Sequence, residues 1–345
     1  MINVAQCSLQ DSSEWDKYVL GHRNSTPYHL MAWGKAVERA YGHRCHYLTA
    51  RVQNKIVGLL PLVEMRIPLL HTQICSLPYC DVGGLLVDSS EVEQALTSTA
   101  SELMLTAGAT KVELRHSCTT DELLPAEGSK VRMLLPLQSS AKEQFKQFKS
   151  KLRSQVRKAE KNGVTFLEGN TEEHRRAFYH VMQVNMHQLG SPVHSRRWFE
   201  AVLDCYGNRA RLGLVEYDGT VVGGAIILLN GLMVSVPWAS TLPEYNHLSP
   251  NMLLYWGLLS IAAESGHKVF DFGRSTIGEG TYRFKKQWGA EPLALDWQVL
   301  NNGELNPVTW GETGGRRDQV ADVWRRMPAA LVNLMGPMLR RYISL

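Results

Sequence analysis

The clearest pattern along the chain is in its second half, where three apolar runs of strand length follow one another: ARLGLVEY (210–217), TVVGGAIILL (220–229) and LMVSVPWAS (232–240). They are separated by Asp218-Gly219 and Asn230-Gly231, the residue pairs that type I′ hairpin turns favour, so the pattern predicts a meander of three antiparallel strands. PNMLLYWGLLSIAAES (250–265) comes after them, with Pro250 where a first helical turn tolerates it and Gly266 just past the end, and it predicts a helix. The apolar strand KVFDFG comes next.

The first half has the same order. HYLTARV and IVGLLPLVE read as a hairpin, EVEQALTSTASELMLTAG as a helix and KVELRH as the strand after it. At an offset of 165, residues 27–58 align without a gap on 192–223, and 10 of 32 positions are identical. These include Pro27/Pro192, His29/His194, Trp33/Trp198, Tyr41/Tyr206, Gly42/Gly207 and Gly58/Gly223. A period this long marks a duplicated domain. The expected fold class is therefore α/β (α+β), with two copies of a mixed, mostly antiparallel sheet flanked by helices. Because the histidines and tryptophans recur in both copies, they read first as packing residues.

Between the copies, 140–164 predicts one helix: Ser140 and Glu143 have capping-box spacing, Phe145, Phe148, Leu152, Val156 and Ala159 share a face, and Gly163 ends it. From Lys142 to Lys161 it carries eight basic residues against two acidic ones. The expected division is a first domain over 1–138, this basic linker helix over 139–163, a second domain over 164–303 and a C-terminal amphipathic segment over 304–345.

Composition narrows the class. With 345 residues, 44% hydrophobic and 20% charged, the chain suits about two soluble domains, and no apolar run approaches the roughly 20 residues that cross a bilayer. No export signal is visible at the N-terminus, so cytoplasmic residence is the default. The six cysteines show neither C-x-x-C spacing nor companion histidines, so no metal site is expected. There is no G-x-S-x-G, H-E-x-x-H or P-loop, which removes the simplest support for hydrolase, metalloprotease and NTPase readings.

The phrases SLPYCDVGGLLVD, KLRSQVRKAEKNGV, NMHQLGSPVHSRRWFEAV and FDFGRSTIGEGTYRFKKQWGAEP, in this order within a duplicated chain, resemble the FemAB-like branch of the GNAT superfamily. The resemblance is to FemAB-related proteins associated with PEP-CTERM and exosortase exopolysaccharide loci, and it runs from about residue 15 to the C-terminus. It implies two tandem GNAT-like domains and N-acyl transfer to a primary amine of a cell-envelope or exopolysaccharide precursor. It implies no resident cofactor and a donor that is either aminoacyl-tRNA, as in the FemABX enzymes, or acyl-CoA. The long charged helical-hairpin arm of staphylococcal FemA is absent.

Acyl transfer needs a polarised carbonyl, a deprotonated amine and correct orientation, not a covalent intermediate. Arg274, Gly278 and Gly280, in RSTIGEG, are similar to the GNAT pyrophosphate loop but one residue longer; they either bind phosphate or form a plain strand-to-helix loop. Lys285 and Phe284 match the family position at the donor's acyl end, where a fixed cation would stabilise developing negative charge. Alternatively, Lys285 is a solvated helix lysine. Tyr282 and Arg283 are neighbouring contact candidates. Asp81 is a candidate base or an ordinary turn residue, and Tyr79 a candidate acceptor contact. Arg153 and Arg157 present a phosphate-binding face or a solvated one.

The C-terminal segment, with Trp324, Leu331, Leu334, Met335 and Leu339 among its arginines, either meets an anionic membrane surface or packs on the first domain. The partners expected are the acyl donor and an amine-bearing glycan or peptide precursor, lipid-linked forms included. The rival class is a non-catalytic scaffold in polysaccharide assembly.

Overall fold

A computed structural model describes residues 1–8, 11–68, 70–118, 126–301, 304–308 and 314–345. The chain forms two compact units. Unit 1 is Met1–Arg132 with Leu293–Trp310 and Arg341–Leu345; unit 2 is Met133–Pro292 with Gly311–Arg340.

Unit 1 begins with β1 (Asn3–Gln6), α1 (Ser12–Gly21) and α2 (Met31–Tyr41). The hairpin β2 (Arg44–Val52) and β3 (Lys55–Ile67) comes next, then β4 (His71–Cys75), β5 (Leu86–Val87), α3 (Ser90–Thr106) and β6 (Ala109–Ser117). The β2–β3 turn places Gln53 and Asn54 both at positive φ, a type I′ turn that the residue pattern did not announce. Strands β1 to β4 pair antiparallel, whereas β4 and β6 pair parallel across the α3 crossover. One face of the sheet packs with α3 through Leu48, Leu60, Leu62, Val92, Leu96, Val112 and Leu114.

The chain passes from unit 1 to unit 2 within β7 (Lys130–Pro136), and unit 2 continues with α4 (Ala141–Gln147) and α5 (Ser150–Lys161). The single helix expected over 140–164 is thus two. Phe148 and Lys149 are extended, and the break turns Phe148 inward, with Trp256 at 5.9 Å and Trp288 at 5.3 Å between ring centres. Half of the expected capping box forms: Ser140 Oγ accepts from the Glu143 N–H at 3.3 Å, but the Glu143 carboxylate accepts from Ser139 Oγ at 2.7 Å. Next come β8 (Thr165–Glu168), α6 (Glu172–Gln188) and α7 (Arg196–Tyr206). The meander is β9 (Ala210–Tyr217), β10 (Thr220–Asn230) and β11 (Met233–Thr241), and after it come α8 (Pro250–Glu264), β12 (Val269–Thr276) and α9 (Gly280–Gln287).

The three meander strands pair antiparallel and β12 joins β11 in parallel. Asp218-Gly219 is type I′, with both residues at positive φ. The second turn differs from expectation. Asn230 pairs with Met233, so its central residues are Gly231 and Leu232, and the positive φ of Gly231 makes it type II′.

The chain closes with β13 (Glu291–Asn301) beside β6, β14 (Glu304–Pro307) on β13, and the helices α10 (Gly314–Arg326) and α11 (Ala329–Arg340). The segment 304–345 divides: β14 and Arg341–Leu345 lie in unit 1, α10 and α11 in unit 2.

The offset of 165 carries α2 (31–41) onto α7 (196–206) residue for residue. Trp33 and Trp198 are fully buried in its first turn, and His29 and His194 are buried before it. Burial pushes the His29 imidazole down to about 3 and holds that of His194 well below its ordinary value, so both rings are neutral packing groups at neutral pH.

Candidate functional site

In unit 2 the parallel pair β11–β12 does not run to its end. The ladder joins Met233 to Val269, Val234 to Phe270 and Ser235 to Asp271, and stops, although β11 continues to Thr241 and β12 to Thr276. A bulge in β11 falls at the same point. Between the Ile226–Trp238 and Leu228–Ser235 pairs, Val236 and Pro237 stand opposite the single residue Ile227, which is a bulge. Proline has no N–H to give a ladder and is tolerated inside a sheet chiefly at such a bulge, which bends the strand. The two strands part there, just after Ser235 and Asp271.

The residues of β12 beyond the parting are held from two sides. The buried Asp271 carboxylate accepts from Ser235 Oγ at 3.1 Å and from the Gly273 N–H at 2.8 Å. Gly273 is at φ 73°, a conformation favoured only for glycine, which re-aims the rest of the strand. From α9, the buried Lys285 reaches back and its Nζ donates to the carbonyls of Gly273 (3.1 Å) and Arg274 (2.8 Å). Lys285 is not a solvated helix lysine; its neighbour Lys286 is, paired at the surface with Glu291. Ser275, also buried, has a hydroxyl with no hydrogen-bond partner among the described residues.

The loop between β12 and α9 turns at Gly278 (φ 88°). Gly280 begins the helix, and a Cβ built there would meet nothing within 4 Å, so sterics do not demand that glycine. The first turn of α9 has no side-chain cap from Glu279. Phe284 joins an aromatic group, 5.0 Å from Tyr255, which stacks on Phe272 at 5.5 Å. Burial raises the Tyr255 phenol well above its ordinary value, so it stays protonated. Tyr282 is half-buried and Arg283 exposed. On α5, Arg157 is exposed with its guanidinium 5.5 Å from the Phe145 ring, while Arg153 is half-buried with no hydrogen-bond partner for its Nε among the described residues.

The remaining candidates lie in unit 1. Asp81 sits in the loop after β4, and its carbonyl accepts from Trp297 Nε1 at 2.9 Å. That loop is organised by Arg115, whose fully buried guanidinium donates to the carbonyls of Leu77 (3.1 Å) and Cys80 (2.8 Å) and to Ser344, and stacks 4.4 Å over Trp297. Tyr79 is held at φ 67° by two bonds, its N–H to the Ser344 carbonyl and its hydroxyl to the Arg341 carbonyl, both 2.6 Å.

Unit 2 also has a polar cleft of about 600 Å³ lined by Glu168, Asn170, Arg175, Asp204, Asn208 and Arg211 among others. Its charges satisfy one another, Arg175 with Asp204 at 2.8 Å and Arg211 with Glu168 at 3.2 Å, and none of its lining comes from β11, β12 or α9. Among the described residues, no group of three or more His, Cys, Asp or Glu is placed to hold a metal ion.

The structure thus brings Arg274, Gly278, Gly280, Phe284 and Lys285 together around one strand end. Pro237, Asp271 and Ser275 were missed from sequence, although a proline inside an apolar strand run and an aspartate inside FDFG were visible signals.

Residues 146–286 match the model of a family described as an acetyltransferase (GNAT) domain. Among solved structures, FemX superposes with a TM-score of 0.72 at 17% identity, over 87% of this chain and 98% of that one. A tandem GNAT protein from the clavulanic acid biosynthesis pathway does so at 0.57 and 12%, over 89% and 100%. L-PGS from Bacillus licheniformis does so at 0.55 and 11%, over 92% and 98%. A comparison with curated proteins finds no match. The chain has the mixed α/β fold of tandem GNAT-like domains, one of them matched directly by the acetyltransferase family and the whole similar in fold to FemX.

Proposed function

We propose that the chain is an N-acyltransferase that forms an amide on a primary amine of a cell-envelope or exopolysaccharide precursor, lipid-linked forms included, and that it works in the cytoplasm at the inner membrane surface. The observation that carries this reading is the Lys285 ammonium, buried and fixed on the Gly273 and Arg274 carbonyls at the point where β11 and β12 part. A fixed cation where water is excluded stabilises negative charge on a carbonyl oxygen far better than a solvated one does.

In this chemistry the amine nitrogen attacks the donor carbonyl and the C–N bond forms as the donor's C–O or C–S bond breaks. The ammonium proton leaves to a base and reaches the departing oxygen or sulfur. Lys285 holds the strand end and its charge; Phe284 with Tyr255 offers the acyl group an apolar wall. Arg274 with the Gly278–Gly280 turn is the phosphate contact, flanked by Tyr282 and Arg283, and Arg153 and Arg157 extend the basic surface for a longer polyanion. In unit 1, Asp81 is the candidate base and Tyr79 the residue that shapes its loop.

The donor reads first as aminoacyl-tRNA, supported by the likeness to FemX and by the basic α5. The match of 146–286 to an acetyltransferase domain favours acyl-CoA as the second reading. Binding of acetyl-CoA, long-chain acyl-CoA and charged tRNA to wild type and Lys285→Ala across a salt series separates them. Charged tRNA would bind with a steep salt slope and a CoA thioester would not. If no donor binds and Lys285→Ala leaves in vivo function intact, the chain is a scaffold.

A further inference from the structure

The last two helices take no part in this chemistry, and their outer face is unlike the rest of the surface. α11 packs toward α6, burying Val332 and Gly336, the latter against Val193. Away from that face, Leu331, Leu334, Met335, Met338 and Leu339 recur at i, i+3, i+4, i+7 and i+8, and they are 47, 67, 38, 64 and 44% exposed. On α10, Val320 and Val323 add 66 and 62%. A helix that meets only its own protein is apolar on one stripe; α11 is apolar on two. Each such side chain gains about 1.5–3 kcal/mol on full burial, so a second apolar stripe implies something that covers it.

Charge says what. From Val323 to Leu345 there are four arginines, Arg325, Arg326, Arg340 and Arg341, and no Asp or Glu. Their sum equals the formal net charge of the whole chain, +4, so the other 322 residues are balanced. Arg325 and Arg326 close α10 and Arg340 closes α11, which puts cations at both ends of the stripe. Arg326 is exposed; Arg325 also meets Asp322 and the Gln188 carbonyl. A second copy of the chain would set these like charges against each other.

We propose that the outer face of α10 and α11 docks on an anionic phospholipid bilayer, with the Leu331–Leu339 stripe lying in the plane of the interface and the exposed Arg325 and Arg326 on lipid phosphates, whereas Arg340 is half-buried and Arg341 is held on the Tyr41 carbonyl. The stripe is about 12 Å long at 1.5 Å per residue, too short to span and well suited to lie flat. Each basic residue near an anionic surface contributes about 1 kcal/mol, and salt screens it. The proposal stands whether or not the chain transfers an acyl group.

The test is co-sedimentation of the purified full chain with vesicles of phosphatidylcholine alone and of phosphatidylcholine mixed with phosphatidylglycerol. The chain should pellet with the mixed vesicles, less so as salt rises, and stay in solution with phosphatidylcholine. Leu334→Glu/Met338→Glu should weaken binding by at least about tenfold, the weight of two apolar side chains. Arg326→Glu should weaken it and flatten the salt dependence. Both variants should keep the wild-type melting curve, since all three positions are exposed. Absence of binding to mixed vesicles overturns the proposal. So does a wild-type dimer by light scattering that Leu334→Glu/Met338→Glu turns into a monomer, since a second copy would then be what covers the stripe.

Discussion

The two copies are built alike up to the parallel strand pair and differ in the segment just beyond it. In unit 1, β4 stops after five residues, and the loop after it is closed by the protein's own groups: Arg115 on the Leu77 and Cys80 carbonyls, Ser344 on Arg115 and Tyr79. In unit 2, β11 runs on past a proline bulge, β12 leaves it, and the freed carbonyls of Gly273 and Arg274 go to one ammonium from the next helix. Both strand ends recruit a buried cation. Arg115 is consumed by structure, with its planar fork spread over several carbonyls, whereas Lys285 is a compact charge on the carbonyls of a strand end whose next residue, Ser275, has a hydroxyl with no hydrogen-bond partner among the described residues. A duplicated fold keeps its frame through shared buried residues, and function is free to enter where the copies stop pairing.

If Arg115 is structural and Lys285 chemical, the largest effect in unit 1 is on folding. Arg115→Met removes a fully buried guanidinium and leaves its carbonyl acceptors and Glu113, 2.7 Å away, without their donor. A loss of about 3–5 kcal/mol is expected in denaturant unfolding, because breaking a buried charged network leaves uncompensated groups. Lys285→Ala should do less to folding, about 1–3 kcal/mol, and more to chemistry, about 10²–10³-fold in turnover once the donor is known. Equal stability losses with no change in turnover would make the two cations equivalent, and the asymmetry would be gone.

The parts of the molecule that were legible in the residues are those governed by short-range rules. Glycine after a periodic helix, Asp-Gly between apolar runs and Ser-x-x-Glu before a helix act within a few residues, and Gly42, Asp218-Gly219 and Ser140 all adopt the conformations those rules require. The break at Phe148–Lys149 was not legible, because what turns Phe148 inward is Trp256 and Trp288, more than a hundred residues away. Within the site, the basic glycine turn from Arg274 to Gly280 stood out, as did Lys285. Which of two adjacent lysines faces inward, and where β11 leaves β12, depend on register and burial that one strand's pattern does not contain.

The shared frame has its own signature, and pH reads it. His29 and His194 are buried neutral, so their folded values lie below the unfolded 6.5. Their contribution is complete above pH 6.5 and is lost as pH falls, because the unfolded chain then takes up protons that the folded chain refuses. For His29, with a folded value of about 3, the loss continues to about pH 3 and reaches about 2 kcal/mol at pH 5. His29→Gln and His194→Gln should each flatten the acid limb of a stability–pH curve. A limb that only one substitution flattens would show that the two histidines, though aligned by the duplication, have ceased to be equivalent.

The smallest expected change in stability is the sharpest probe of the bulge. Pro237→Ala returns an N–H to β11 and removes the ring that keeps it out of a regular ladder, while changing little else, as Pro237 is half-buried and the strand is otherwise fully formed. Unfolding free energy should move by less than about 1 kcal/mol. Donor binding should weaken more than stability changes, because a β11 able to pair with β12 beyond Asp271 would draw the strands together over the ground where the Gly273 and Arg274 carbonyls now meet Lys285. Amide exchange at Gly273 to Thr276 separates the alternatives: slower exchange in Pro237→Ala means that the ladder has lengthened and the parting is set by this one residue. Unchanged exchange would instead assign the parting to Gly273 and its Asp271 bond, and Asp271→Asn would be the substitution that closes it.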